Sequence, residues 1–324
     1  MKWRRRRRRP VAPPIEEVAA IAQRLAVLLS AGVSPVSAWG YLLPPGEAAP
    51  TESADTATGR VIKAAASAGA TGASVADALA AEANALPVAE RQAWLALAAA
   101  WSVATDAGAP LAASLRDLAS SFRELGQLQR DVGVALAGPA ATARVVLGLP
   151  VVGLGFGALM GFNTLHALFA TVPGLLCLAV GAVLIAGGAR WNARLVRKAE
   201  ATDAAPGLDL DLTAIGMAGG ASVARARALV TAARERFDVG GAEAEAAIAA
   251  VLDLASRAGV PAAELLRSEA EQVRRAARSD GQRKAETLAV TLMLPLGLCV
   301  LPAFMLVGVA PLLLGVLAST FAVL

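Results

Sequence analysis

The chain has 324 residues, of which 56% are hydrophobic, 4% aromatic and 17% charged, with a mean hydropathy of +0.57 and a net charge of +4. Soluble domains are usually about 45–50% apolar, so the excess points to membrane segments wherever it is clustered, and an alanine-rich, aromatic-poor chain favours helices over strands. Two cysteines lying inside apolar runs (Cys177 and Cys299) read as small hydrophobes, and one histidine cannot build a histidine-rich metal centre.

The amino terminus opens with Arg4, Arg5, Arg6, Arg7, Arg8 and Arg9. Pro10, Pro13, Pro14, Glu16 and Glu17 follow, so the apolar region of a signal peptide is missing and the start is expected to stay in the cytoplasm. Residues 1–14 read as a basic arm for anionic lipid headgroups, each base contributing on the order of 1 kcal/mol near the surface. Nucleic acid is not the expected partner, because no aromatic interleaving or folded basic module accompanies the run.

From Ile15 the spacing becomes helical: Val18, Ile21, Leu25 and Leu28 share one face. Gly32 suits a left-handed helix stop, Ser34 an amino-terminal cap and Pro35 a first helical position, after which Val36, Trp39 and Leu43 continue an apolar stripe. This phrase, SAGVSPVSAW, recurs as DAGAPLAASL from Asp106, MAGGASVARA from Met217 and RAGVPAAELL from Arg257. AGATGASVADAL, Ala68 to Leu79, predicts an additional turn of the same kind. The residues from Pro44 to Gly59 form a loop-like insertion. Two cytoplasmic antiparallel helical bundles are therefore expected, over 15–143 and 190–286.

Val145 to Phe162 and Leu165 to Ala189 carry no charge and are separated only by Asn163-Thr164, which predicts a transmembrane hairpin over 144–189. Arg144 precedes it; Arg190, Arg194, Arg197 and Lys198 follow, placing both ends in the cytoplasm. A third charge-free run, 287–324, follows Arg283 and Lys284. It is read as one span, Leu288 to Val309, with an apolar tail; a short fourth span from Pro311 is the alternative. The fold class is thus all-α and polytopic, with about three transmembrane helices.

GLGFGALMG imitates a dinucleotide fingerprint but lies within a span, without a preceding strand or an acidic ribose partner. Its Gly153, Gly157 and Gly161 recur every four residues, a pattern for close helix packing either within the hairpin or between protomers. His166 sits at the hairpin mouth as an interfacial residue. The spans carry no Asp, Glu, Lys or Arg, which argues against a pump, a permease or an intramembrane protease. No paired acids, nucleophile–base set or metal cluster emerges, so no cofactor and no enzymatic activity are expected.

A cytoplasmic helical domain, a two-span hairpin, a second cytoplasmic domain and a final span together resemble the type II secretion system F-domain family, the inner-membrane platform proteins of type II secretion and type IV pili. IAQRLAVLLSAGVSPVSAW and TDAGAPLAASLRDLASSF are similar to the family's opening elements, with Asp106 in its acidic position. LDLTAIGMAGGASVARAR and LASRAGVPAAELLRSEAEQVRRAARSDGQRKAETL resemble the membrane-proximal half of Tad (Flp) pilus platform proteins. Tad systems usually divide these halves between two proteins, whereas one chain carries both here, and Arg257 replaces the acid in the second repeat. The resemblance implies a non-enzymatic scaffold that engages a secretion ATPase, pilin subunits, other pilus-base membrane proteins and further copies of itself. Asp106 and the charged helix containing Glu264, Arg267, Glu271, Arg274 and Arg275 are the ATPase-facing candidates it suggests. A small-molecule permease subunit and a membrane-anchored signalling adaptor are the alternative readings.

Overall fold

A computed structural model describes residues 13–43, 56–159, 169, 171–200, 206–240, 244–310 and 313. The arginine arm Arg4–Arg9, most of the 44–59 insertion, Gly161, His166 and nearly all of the tail after 310 lie outside the described residues. Among the described residues helix is the only regular structure. In chain order the helices are α1 (Pro14–Ser30), α2 (Pro35–Ala38), α3 (Ala57–Thr71), α4 (Val75–Ala83), α5 (Val88–Asp106), α6 (Leu111–Leu159) and α7 (Val172–Glu200). They continue with α8 (Leu208–Ala218), α9 (Val223–Phe237), α10 (Ala244–Ala258), α11 (Ala262–Thr291), α12 (Met293–Pro295) and α13 (Leu301–Phe304). A 3₁₀ turn follows α2, and π-helical turns occupy Leu296–Val300 and Met305–Val309.

The recurring phrases are helix corners. Gly32, Gly72, Gly108, Gly220 and Gly259 have φ between +66° and +89°, the left-handed conformation that ends a helix without a Cβ clash. Ser34, Ser74 and Ser222 cap the next helix by accepting from the amides of Ser37, Asp77 and Arg225 at 3.2, 3.2 and 3.3 Å. The third corner contains two glycines with different tasks. Gly220 supplies the positive φ, while a Cβ on Gly219 would stand 2.0 Å from the Ala107 carbonyl oxygen, so the third corner packs directly on the second. In the first corner Trp39 is fully buried, but Val36 is exposed. Its carbonyl oxygen would lie 2.8 Å from a Cβ at Gly69, so the backbone of Val36, rather than its side chain, makes that contact.

The chain divides into two units, 1–130 with 203–279, and 131–202 with 280–324. The stretches expected as two cytoplasmic bundles thus contribute most of their residues to one unit. The reason lies in α8. Every residue from Leu208 to Gly216 is buried, Asp209 and Asp211 included, so this helix is covered on all sides. Leu208, Leu212 and Ile215 enter a large core with α1, α5 and the first half of the chain. Leu210 and Ala214 enter a smaller core with Ile248, Val251 and Leu266. The large core centres on α5, buried without interruption from Ala93 to Ala104, where Trp101 meets Trp39 at a ring separation of 5.5 Å.

In the other unit two stretches are long and apolar enough to cross a membrane. They are Val172–Leu195, with a hydropathy of 2.2, and a window within Ala262–Val309, at 2.3. Only 17% of the first window is buried against the chain, unlike the core helix of a soluble protein. Gly181 and Gly188, two turns apart on α7, face the last apolar segment. A Cβ there would lie 2.3 Å from Val307 Cγ2 and 3.0 Å from Cys299 Cβ respectively. Gly153 and Gly157 are helical in α6, but their packing lies outside what is described.

Candidate functional site

Two corners start the helices that run on towards the apolar spans: Pro110 precedes α6 and Pro261 precedes α11. Arginines stand at matching distances after both prolines, Arg116 and Arg123 on α6, Arg267 and Arg274 on α11. A spacing of seven residues is about two turns, or roughly 10 Å, so each pair forms two rungs on one face. On α11 the rungs meet carboxylates of α6: Arg267 Nε lies 3.0 Å from Asp117 Oδ2, and Arg274 Nε lies 2.9 Å from Glu124 Oε2. Both partners advance together, so α6 and α11 are parallel here. On α6 the rungs turn to α1. Arg116 donates to Ser30 Oγ at 2.8 Å, Arg123 to Gln23 Oε1 at 2.6 Å, and Arg130 pairs with Glu16. These partners run in opposite order, making α1 antiparallel to α6.

Arg274 is the centre of the site. It is 8% exposed, and its Nη1 also donates to Asp211 Oδ2 at 2.8 Å. Ser121 Oγ donates to the same oxygen at 3.1 Å. Three helices from both halves of the chain, α6, α8 and α11, are thereby joined through one guanidinium. Burial pushes the Asp211 carboxyl up from its ordinary value of 3.8 to about 6. The charge of Arg274 and the hydrogen bonds from Ser121 and Arg274 pull it down, and the charge of Asp117 adds a smaller upward push. Two residues earlier, on the other side of α8, Asp209 Oδ1 lies 3.3 Å from Arg234 Nε. The arrangement is an ionic clamp; among the described residues no three His, Cys, Asp or Glu side chains are grouped as metal ligands.

The sequence-derived candidates are distributed around this clamp. Arg274 is interior and Arg267 half-buried on Asp117, while Glu264, Glu271 and Arg275 are exposed. Glu271, Arg274 and Arg275 line one side of a cleft of about 350 Å³ whose other side includes Glu124 and Gln127. Asp106 is exposed at the second corner, accepting from Ser102 Oγ at 3.1 Å, and its carbonyl accepts from Arg225 at 3.4 Å. Arg190 and Arg194 are exposed near the end of α7, where Arg197 and Lys198 also lie on the helix. Arg283 and Lys284 are exposed on α11, with Arg283 3.7 Å from Asp280.

Sequence alone does not single out Asp211, Ser121, Glu124, Arg116 or Arg123. One signal is present: LDLDLTAIG puts two acids in an otherwise apolar helix, and buried acids require cations. The partners are not legible, since Asp211 stands 90 residues from Ser121 and 63 from Arg274.

A family model described as "Type II secretion system (T2SS), protein F" matches residues 21–158. Comparison with curated proteins and with solved structures gives no match.

Proposed function

We propose, from the match of residues 21–158 to the type II secretion system protein F family model, that the chain is an inner-membrane platform protein of a Tad/Flp-type pilus or a type II-like secretion machine. The family match supports this reading most directly, because it runs from the middle of α1 through α5 and nearly all of α6, the helix that carries the chain from the helical unit into apolar sequence. The helical unit lies in the cytoplasm and takes force from a secretion ATPase. The spans deliver pilin subunits into the fibre among other base proteins and further copies of the chain. Such a role needs no catalytic group or cofactor.

For contact with the ATPase, the exposed Asp106, Glu264, Glu271 and Arg275 are the available charges. Arg267 and Arg274 act behind them, holding α11 on α6. The test is affinity purification of the full chain from membranes containing the cognate ATPase, alongside a deletion strain. Co-purification under mild detergent and loss of pili are expected. Failure to recover the ATPase, together with normal piliation in the deletion strain, overturns the proposal.

A further inference from the structure

The two arginine ladders occupy equivalent positions after equivalent corners, yet they end differently. On α11 both rungs meet carboxylates, Asp117 and Glu124. On α6 the same two rungs meet a hydroxyl and an amide, Ser30 and Gln23. Arg227, Arg234 and Arg236, which also reach across to other helices, each find an acid. At the first two rungs of the α1–α6 seam the repeated pattern therefore lacks its carboxylates, while the third, Arg130, meets Glu16.

The shape of the seam fits a ligand from outside. A cleft of about 470 Å³ opens between α1 and α6, lined by Arg24, Arg123 and Arg130 with Glu16, Gln23 and Ala20 among its walls. Arg24 and Arg123 are both exposed. Three guanidiniums face one carboxylate, which already pairs with Arg130. Rungs roughly 10 Å apart are too widely spaced for one phosphate to bridge, but they suit carboxylates repeated along a peptide. Ala20, Arg24 and the exposed Val27 fall on one stripe of α1, adding apolar contact beside the charge.

We propose that the α1–α6 seam is a docking site for an acidic segment of a partner protein, which supplies in trans the carboxylates that Asp117 and Glu124 supply in cis to the α6–α11 seam. Charge complementarity of this kind sets partner choice and association rate.

The test uses the full chain in detergent with a photo-crosslinking benzoylphenylalanine at Ala20 and a fluorescent decaglutamate peptide. The Arg4–Arg9 arm also attracts polyanions, so the crosslink at Ala20 is read rather than total binding. Saturable labelling is expected. It should fall at least tenfold in Arg24→Gln/Arg123→Gln and be unchanged in Arg257→Gln, whose partner Asp253 lies on its own helix. Gln23→Glu/Ser30→Asp supplies the missing acids in cis and should also abolish labelling in a folded chain. Equal labelling in the arginine double variant overturns the proposal, as does retention in Gln23→Glu/Ser30→Asp. Displacement by millimolar inorganic phosphate, or by phosphatidylglycerol vesicles, as effective as by unlabelled peptide would assign the seam to a phosphate group or a lipid headgroup instead.

Discussion

Replacing Arg274 by Met should expose how the two halves are held together. Arg274 and Asp211 are each 8% exposed, and the methionine would leave Asp211 buried with only Ser121 as a partner. Removing one member of a buried pair costs about 3–5 kcal/mol. For a unit of roughly 200 residues, that is a fall in Tm on the order of 10 °C. The deficit should depend on pH in a particular direction. Asp211 already sits at about 6, above its unfolded value of 3.8, so it favours the fold below 3.8 and loses that contribution as pH rises through about 6. This lift corresponds to about 3 kcal/mol carried by the ionised form even with the arginine present. Without the guanidinium the folded value climbs further, and the loss shifts to higher pH. Denaturant unfolding of the purified chain in detergent should therefore show Arg274→Met far less stable than wild type at pH 8 and much closer to it at pH 5. Arg274→Met/Asp211→Asn should recover most of the deficit at pH 8, since no buried charge remains. A pH-independent deficit, or no rescue by the second substitution, would refute the clamp. Glu124→Gln serves as contrast: Glu124 is 48% exposed, and its loss should cost below about 1 kcal/mol.

The corners and the spans supply further tests. Gly219→Val places a Cβ 2.0 Å from the Ala107 carbonyl and should cost about 3 kcal/mol by pushing two corners apart, whereas Gly220→Ala, with open space but φ at +79°, should cost only about 1 kcal/mol; urea unfolding distinguishes them. Gly181→Leu should separate α7 from Val307, seen as a loss of disulfide crosslinking between Gly188→Cys and native Cys299, with Cys177→Ser as background.

What can be read from the sequence is local. A left-handed glycine, a serine cap and a first-turn proline act within about five residues, so Gly32, Ser34 and Pro35 announce their conformations. Charge-free length likewise marks the part of Val172–Leu195 that precedes Arg190. Long-range consequences are hidden. Leu212 and Ile215 read as apolar, but their packing on the first half follows from α8 being covered on all sides. Arg274 looks like one more charge on a polar helix; only the approach of α6 and α8 makes it interior. Leu254, as apolar as Leu252 ahead of the fourth corner, is instead 48% exposed, because Ile248, Val251 and Ala255 form the stripe that faces α8 and α11.

The parallel course of α6 and α11 bears on topology. Both helices leave corners of the same design, and the pairs Asp117–Arg267 and Glu124–Arg274 fix them side by side in the same direction. Under the platform reading proposed above, both helices are expected to lead the chain into the membrane from one side. The chain between them is then expected to cross an even number of times, as the hairpin proposed over 145–162 and 165–189 would do. Arg144 on α6 and Arg283 with Lys284 on α11 precede the apolar stretches, and by the positive-inside rule they support the proposal that this side is cytoplasmic. Reporter fusions should therefore read inside before residue 130, outside at Asn163, inside at Asp203 and outside at Leu324. A cytoplasmic signal at Leu324 alone would indicate a fourth span within 310–324 and leave the parallel insertion of α6 and α11 intact. A cytoplasmic signal at Asn163 would mean that α6 does not carry the chain across, and the inference from the two ladders would fall with it.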